Sequence, residues 1–259
     1  MATNTLETGA ECVPCRNLTD VFGQVDAGDL DSGVVPVENS LASSIGETYD
    51  LLLHFDLVIT GEIILPIDHC LLATPGTTLD AVQRVMSHPQ ALAQCHTYLN
   101  SLPVEQVPYY DTAGAAKDIR QSNITDAAAV ASSHAADIYG LEILASGIQS
   151  MEENFTRFYR IEKHPRPREG KSKTVLAFSL PHQPGSLFMA MSSFACRSLN
   201  LTRIESRPIK RHPWEYVFYL EFEGHTEDWQ VESALEELES KASMLRVLGS
   251  FQSNGRREQ

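Results

Sequence analysis

No run in the chain approaches the roughly 20 consecutive apolar residues a membrane helix needs. There is no G-x-G-x-x-G or G-x-x-x-x-G-K-S/T phosphate loop, so a nucleotide cofactor is not expected. There is no G-x-S-x-G elbow, and His54, His69, His88 and His96 do not fall into a metal-ligand spacing with a third ligand. Positive charge is scarce: 20 Lys and Arg against 34 Asp and Glu leave a net charge of −14. That balance argues against nucleic acid, which relies on clustered cations, but not against a small carboxylate held by one well-placed arginine. The five cysteines, Cys12, Cys15, Cys70, Cys95 and Cys196, are odd in number and scattered, which suggests reduced thiols. Cys12-Val13-Pro14-Cys15 spells C-x-x-C, but it reads as a strand end, and no second C-x-x-C supports zinc. Met1 to Ala10 shows neither a secretory signal nor an Arg-rich transit pattern, and a processed form or a start further upstream would look the same.

What is present is an alternation of strand-like and helix-like stretches. Ala10 to Cys15 reads as a short strand. Asn17 opens a helix with Leu18, Val21, Phe22 and Val25 at helical spacing. Gly33-Val34-Val35-Pro36-Val37 is an apolar run of buried-strand type. It ends in Glu38-Asn39-Ser40, and ligands of parallel sheets sit at the carboxyl ends of strands. A helix through Tyr49, Leu52 and Leu53 and strands over 57–65 and 69–73 follow, with Pro66-Ile67-Asp68 as a crossover. Helices are expected over 79–84, 89–102, 112–121 and 133–140, and strands over 85–87, 105–109, 127–131 and 141–149. Pro89 suits a first helical turn, Asp111 or Thr112 a cap, and Gly140 a helix end. This order predicts parallel α/β layers with right-handed crossovers.

A basic, proline-rich stretch (Lys163, Pro165, Arg166, Pro167, Arg168, Lys171, Lys173) precedes a second pattern. Strands over 174–180, 201–206, 216–222 and 245–248 and helices over 185–198 and 229–242 give βαββαβ, the ferredoxin-like α+β unit. The tail from Ser253 is polar and expected to fray.

Between the two patterns stands Asn154-Phe155-Thr156-Arg157-Phe158. An arginine can clamp a carboxylate through two parallel hydrogen bonds, and a threonine hydroxyl can donate to a departing oxygen. By the letters alone, Arg157 paired to a surface glutamate and Thr156 filling a strand is the competing reading. Glu38-Asn39-Ser40 offers donors and acceptors, or simply a helix cap. Ser87-His88-Pro89-Gln90 and Asp111-Thr112-Ala113-Gly114-Ala115-Ala116 place polar groups and backbone N–H at helix starts, where anions bind or plain capping occurs. In the second pattern, Gly185-Ser186-Leu187-Phe188 and Glu205-Ser206-Arg207-Pro208 could hold a small amino acid across a dimer interface, or form an ordinary turn and ion pair.

Taken together these segments, with Leu199-Asn200-Leu201-Thr202-Arg203-Ile204, resemble the prephenate dehydratase family, including its plant-type arogenate dehydratases, from about Glu11 to Phe251. The resemblance implies an α/β catalytic domain of two lobes, like type-2 periplasmic binding proteins, over 1–162, with lobe crossovers near 66–70 and 145–150. A linker over 163–173 and an ACT domain over 174–252 would follow. It implies decarboxylating dehydration of prephenate or arogenate without a cofactor, in phenylalanine biosynthesis. Thr156 would assist loss of the hydroxyl and Arg157 would hold a substrate carboxylate. Glu38, Asn39, Ser40, Ser87, Gln90, Thr112, Gly114 and Phe158 would line the site. Phenylalanine would bind as a feedback effector at Gly185, Ser186, Leu187, Asn200, Leu201, Glu205, Ser206, Arg207 and Pro208, in a homodimer or homotetramer. Family members open with a strand and a Gly-rich loop that have no counterpart here, which suggests an N-terminally incomplete lobe with exposed strand edges. A catalytically impaired phenylalanine-binding regulator is the alternative. The plant-like resemblance suggests a plastid, and otherwise the cytoplasm.

Overall fold

The computed structural model describes residues 2–6, 9–41, 43–151, 153–209 and 212–253. Apart from Ser253, the tail expected to fray lies outside them. The chain divides into two compact units. One comprises Ser40–Ala42 and Leu65–Thr156, and the other Ala2–Asn39, Ser43–Ile64 and Arg157–Gln259. α/β layers run through both, but the parallel arrangement expected from the alternating pattern is only partly met, since the strand Cys70–Ala73 pairs antiparallel with both of its neighbours.

The elements in chain order are α1 (Ala2–Leu6), α2 (Leu18–Ala27), β1 (Gly33–Asn39), β2 (Ser43–Ser44), α3 (Gly46–His54), β3 (Val58–Pro66), β4 (Cys70–Ala73), β5 (Arg84–Ser87), α4 (Pro89–Gln94), α5 (His96–Leu99), β6 (Glu105–Pro108), α6 (Thr112–Gln121), β7 (Ala127–Ala131), α7 (Ser133–Tyr139), β8 (Glu142–Ser146), β9 (Phe155–Glu162), β10 (Ser172–Ser179), α8 (Ser186–Ala195), β11 (Leu201–Ile209), β12 (His212–Glu223), α9 (Trp229–Glu239) and β13 (Met244–Gln252).

In the first unit a five-stranded sheet runs β6-β5-β7-β4-β8. β5 is parallel to β6 and β7, while β4 is antiparallel to β7 and β8. The alanine-rich β7 is buried along its whole length. Its alternate side chains pack with α6 and α7 through Ala127, Ala129 and Ala131, and with α4 and α5 through Ala128 and Val130. Such small side chains let helices lie close on both faces of a strand.

The second unit holds two four-stranded sheets, β2-β1-β9-β3 and β11-β12-β10-β13. Strands β10 to β13 with α8 and α9 form the βαββαβ unit. Its strands alternate cleanly. Leu176, Phe178, Leu220 and Phe222 pack under α8 and α9, while Val175, Ala177, Val217, Tyr219, Leu248 and Phe251 turn to the opposite face. That opposite face shares one core with Phe22, Val35, Val37, Tyr49, Leu52, Ile59, Tyr159 and Ile161. Each large apolar side chain so removed from water contributes roughly 1.5–3 kcal/mol. The βαββαβ sheet is therefore covered on both faces.

Four local expectations change. Ala10 to Cys15 forms no strand and is largely exposed. An isolated extended segment gains no ladder hydrogen bonds, and none of the described strands takes it as a neighbour. The helix expected over 79–84 shrinks to a 3-10 turn at Leu79–Ala81, because Val82 already has extended backbone (φ −74, ψ 119). The long helix from Pro89 breaks into α4 and α5 at Cys95, whose backbone leaves helical geometry (φ −104, ψ 12). The partner strand expected over 216–222 is longer, running from His212.

Candidate active site

In the first unit, the conformation of Asn154 to Thr156 is set by two anchors. The Ser40 hydroxyl donates to Glu153 O (3.0 Å) and accepts from Phe155 N–H (2.9 Å), while Ser40 N–H donates to Phe155 O (2.9 Å). Asn154 is buried; its Nδ2 donates to Gln94 Oε1 (3.1 Å), its carbonyl accepts from Ile67 N–H (2.8 Å), and His69 Nε2 lies 2.7 Å from the same Gln94 oxygen. With Gln94 accepting, that imidazole nitrogen is the protonated one. Thr156 is 9% exposed at the start of β9.

Ser87 closes β5, fully buried, and its hydroxyl donates to Val130 O of β7 (2.6 Å). Much of its polarity is thus spent on the sheet. Ser87→Ala is expected to cost roughly 1–3 kcal/mol, read as a lowered urea midpoint. His88, not Ser87, caps α4, its Nδ1 accepting from Gln90 N–H (3.3 Å), and Gln90 is exposed. Asp111 rather than Thr112 caps α6, accepting from Gly114 N–H. The Tyr110 ring lies so close over Gly114 that a Cβ there would meet it at 2.3 Å, so a bare Gly114 is what permits this arrangement.

In the second unit, Arg157 is engaged by two carboxylates. Its Nη1 donates to Glu221 Oε2 (2.7 Å) and its Nε stands 3.7 Å from Glu62 Oε2. Lys173 bridges the same carboxylates, 3.0 Å from Glu62 and 3.2 Å from Glu221. Both glutamates are buried, so the competing reading of an Arg–Glu pair was right in kind, but the pair lies in the interior rather than at the surface. Burial works against the charged guanidinium, yet Glu221, Tyr159 and Glu62 outweigh it and hold its pKa above the ordinary arginine value. The two carboxylates differ. Burial pushes Glu62 up, with Lys173 and Arg157 only partly opposing it. At Glu221 burial is outweighed by Arg157 and Lys173, and its pKa falls below the usual carboxylate range.

Glu38, at the end of β1, is 3.3 Å from Arg203 Nη1 of β11. Arg203 also donates to Ser44 Oγ (2.5 Å) and Glu205 Oε2 (2.7 Å), and its guanidinium lies 5.2 Å from the centre of the Tyr49 ring. Asn39 is buried and Phe158 half-buried. Among the residues read as an effector group, Gly185 precedes α8 in left-handed backbone (φ 84), and Leu187, Asn200, Ser206 and Pro208 are exposed, with Ser186 and Leu201 half-buried. Glu205 accepts from Ser44, and Arg207 stands 3.7 Å from Asp50.

A cavity of about 490 Å³ in the second unit is bordered by Thr60, Glu62, Arg160, Arg166, Arg168 and His225 among others. None of the residues proposed from the sequence as catalytic, substrate-binding or effector-binding lines it, although Arg166 and Arg168 of the basic stretch do. Its arginines already serve Thr60, Glu162 and Asp228.

Sequence reasoning missed Glu62, Glu221 and Gln94, and it named Lys173 and Arg203 without giving them a place in these contacts. A readable signal existed for two: a carboxylate in the middle of an otherwise apolar strand, in Val58-Ile59-Thr60-Gly61-Glu62-Ile63-Ile64 and in Val217-Phe218-Tyr219-Leu220-Glu221-Phe222.

The prephenate dehydratase family model matches residues 1–166. Arogenate dehydratase/prephenate dehydratase 2, chloroplastic, of Arabidopsis thaliana is 46% identical over 252 residues, covering 93% of this chain and 66% of the relative. The chain thus spans about two thirds of the length of the curated relatives it matches. Among solved structures, prephenate dehydratase from Arthrobacter aurescens in complex with L-Phe is 31% identical, with a TM-score of 0.89 over 97% of this chain and 85% of that one. A structure described as a novel type of quorum quenching acylase is 33% identical, with a TM-score of 0.91 over 99% of this chain and 94% of that one. Family model, relatives and solved structures agree with the motifs and the fold: the chain belongs to the prephenate dehydratase family.

Proposed function

We propose that the protein catalyses decarboxylating dehydration of a cyclohexadienol, prephenate to phenylpyruvate or arogenate to phenylalanine. The observation that carries this reading is Thr156, directly after a segment held by Ser40 at Glu153 and Phe155 and by Gln94 at Asn154, in a chain of this family. Loss of carbon dioxide supplies the electron pair that aromatises the ring as the C–O bond breaks. The Thr156 hydroxyl donates a hydrogen bond to the departing oxygen, which leaves as hydroxide and takes its second proton from solvent. A weak acid suffices because aromatisation drives the step. The residues named from the sequence, Glu38, Asn39, Ser40, Ser87, Gln90, Thr112, Gly114 and Phe158, are proposed as substrate contacts.

Phenylalanine is proposed as effector at the start of α8 and along β11, the residues named from the sequence. The neighbour solved with L-Phe supports this reading. Exposed Leu187 and Phe188 on α8 and exposed Ile204 on the edge strand β11 support a homodimer or homotetramer. Relatives named chloroplastic support a plastid setting in a plant or alga.

The test is turnover of prephenate and of arogenate by the chain, followed as phenylpyruvate and phenylalanine. Product from either supports the reading. No product from either, with phenylalanine still raising the melting midpoint, favours a regulator instead. The name of one structural neighbour makes acylase activity a second reading, and an acylase assay on the same preparation tests it.

A further inference from the structure

Arg157 and Tyr159 sit two apart on β9 and both donate to Glu221 Oε2, at 2.7 and 3.1 Å. The spacing is the strand period, so both side chains share one face. Thr156, the next residue along the strand, points to the other face by the same alternation. The arginine therefore does not reach a substrate beside the Thr156 hydroxyl simply by being its sequence neighbour. Its guanidinium instead belongs to a four-charge cluster balanced within itself: Arg157 and Lys173 against Glu62 and Glu221. The second Glu221 oxygen accepts from Thr202 Oγ1 on β11 (2.7 Å). Glu221 is 2% exposed and makes these contacts from near the C-terminal end of β12, in the βαββαβ unit.

A buried carboxylate with this many donors is costly to move, because any shift leaves charges desolvated and unpaired. Satisfied buried networks of this kind hold one geometry. Here the geometry held is that of β9, the strand whose second residue is Thr156. We propose that Glu221 is a positioning residue for the dehydration: it fixes the Arg157 guanidinium and with it the course of β9, the strand that carries Thr156. The proposal rests on the dehydratase reading, and it gives Arg157 the role of a strut in place of a substrate clamp.

The test uses the full chain. Glu221→Gln keeps the shape and removes the charge. It is expected to lower kcat roughly 10–100-fold with KM changed less than about threefold, the pattern of lost transition-state positioning. Glu221→Asp, which keeps the charge, restores most of kcat. Glu223→Gln, exposed on the same strand, leaves kcat unchanged. The Arg157 side-chain N–H signal in a 15N spectrum is slow to exchange with solvent in the wild type and becomes fast in Glu221→Gln. If that variant fails to fold, Thr202→Val, at an exposed position, removes one of the Glu221 bonds and gives the same two changes at smaller size. Unchanged kcat with either variant overturns the proposal. A fall in kcat with an unchanged Arg157 signal also overturns it, because the effect then bypasses the arginine. If the wild type turns over neither substrate, the dehydratase reading fails instead, and the Arg157 signal still decides whether Glu221 holds the guanidinium.

Discussion

Thr156→Ala is expected to lower kcat roughly 10²–10⁴-fold, the size of effect that a positioned proton donor supplies, while KM moves by less than about threefold. The split between the two constants is what matters. A hydroxyl that only filled space in a strand would, when removed, loosen substrate and fold together. A hydroxyl that donates to the leaving oxygen gains most of its value as the C–O bond breaks. Thr156→Ser keeps the donor and is expected to stay within about tenfold of wild type. Equal changes in kcat and KM for Thr156→Ala, or a serine variant as slow as the alanine one, would sink the assignment. The backbone anchors make the experiment interpretable. Ser40 bonds the main chain at Glu153 and Phe155, and Gln94 holds Asn154, so the alanine variant retains the local course of the chain.

Gly249→Ala is expected to destabilise the protein by about 3 kcal/mol or more, at the upper end of what overpacking costs. A Cβ on Gly249 would stand 2.1 Å from Ile59 O and 2.8 Å from Ile59 N. The obstacle is backbone, which cannot rotate aside as a side-chain tip can. Gly249 lies on β13 of the βαββαβ sheet and Ile59 on β3, at the place where the two sheets of the second unit share their core. Relieving the clash means parting those layers around Leu248, Phe251 and Tyr159. Gly23→Ala provides a control of opposite sign. Gly23 lies inside α2 with nothing within 4 Å of an added Cβ, so replacing it is expected to add roughly 0.5–1 kcal/mol through helix propensity. Chemical denaturation of the pair reads both signs. A Gly249→Ala midpoint equal to wild type would show that the two sheets are not in contact at that strand.

Strand and helix order was legible because side-chain periodicity is local: two for a strand, 3.6 for a helix. The buried alternation of β1, the all-apolar β7 and the βαββαβ order of the C-terminal unit could all be read from neighbours a few residues apart. Where the reading failed, the deciding fact was not local. Ala10 to Cys15 has strand-like letters, but a strand exists only if another strand pairs with it. The helix from Pro89 has unbroken helical letters through Cys95, and the break there belongs to how α4 and α5 lie on β5 and β7.

The same division holds for the site. Asn154 to Phe158, together with the segments around Glu38, Ser87, Asp111 and Glu205, sufficed by residue type and order to indicate the family and to single out Thr156. They did not determine where Arg157 spends its charge. Its partners lie 64 residues later in the chain at Glu221 and on the separate strand β3 at Glu62, and a guanidinium takes whichever carboxylates the folded strands bring to it. Nor did the sequence mark Gly249, whose missing side chain has meaning only against the backbone of Ile59. Composition and periodicity settle which face of each strand is apolar. Only tertiary structure decides which two apolar faces meet and which buried charges must then be paired.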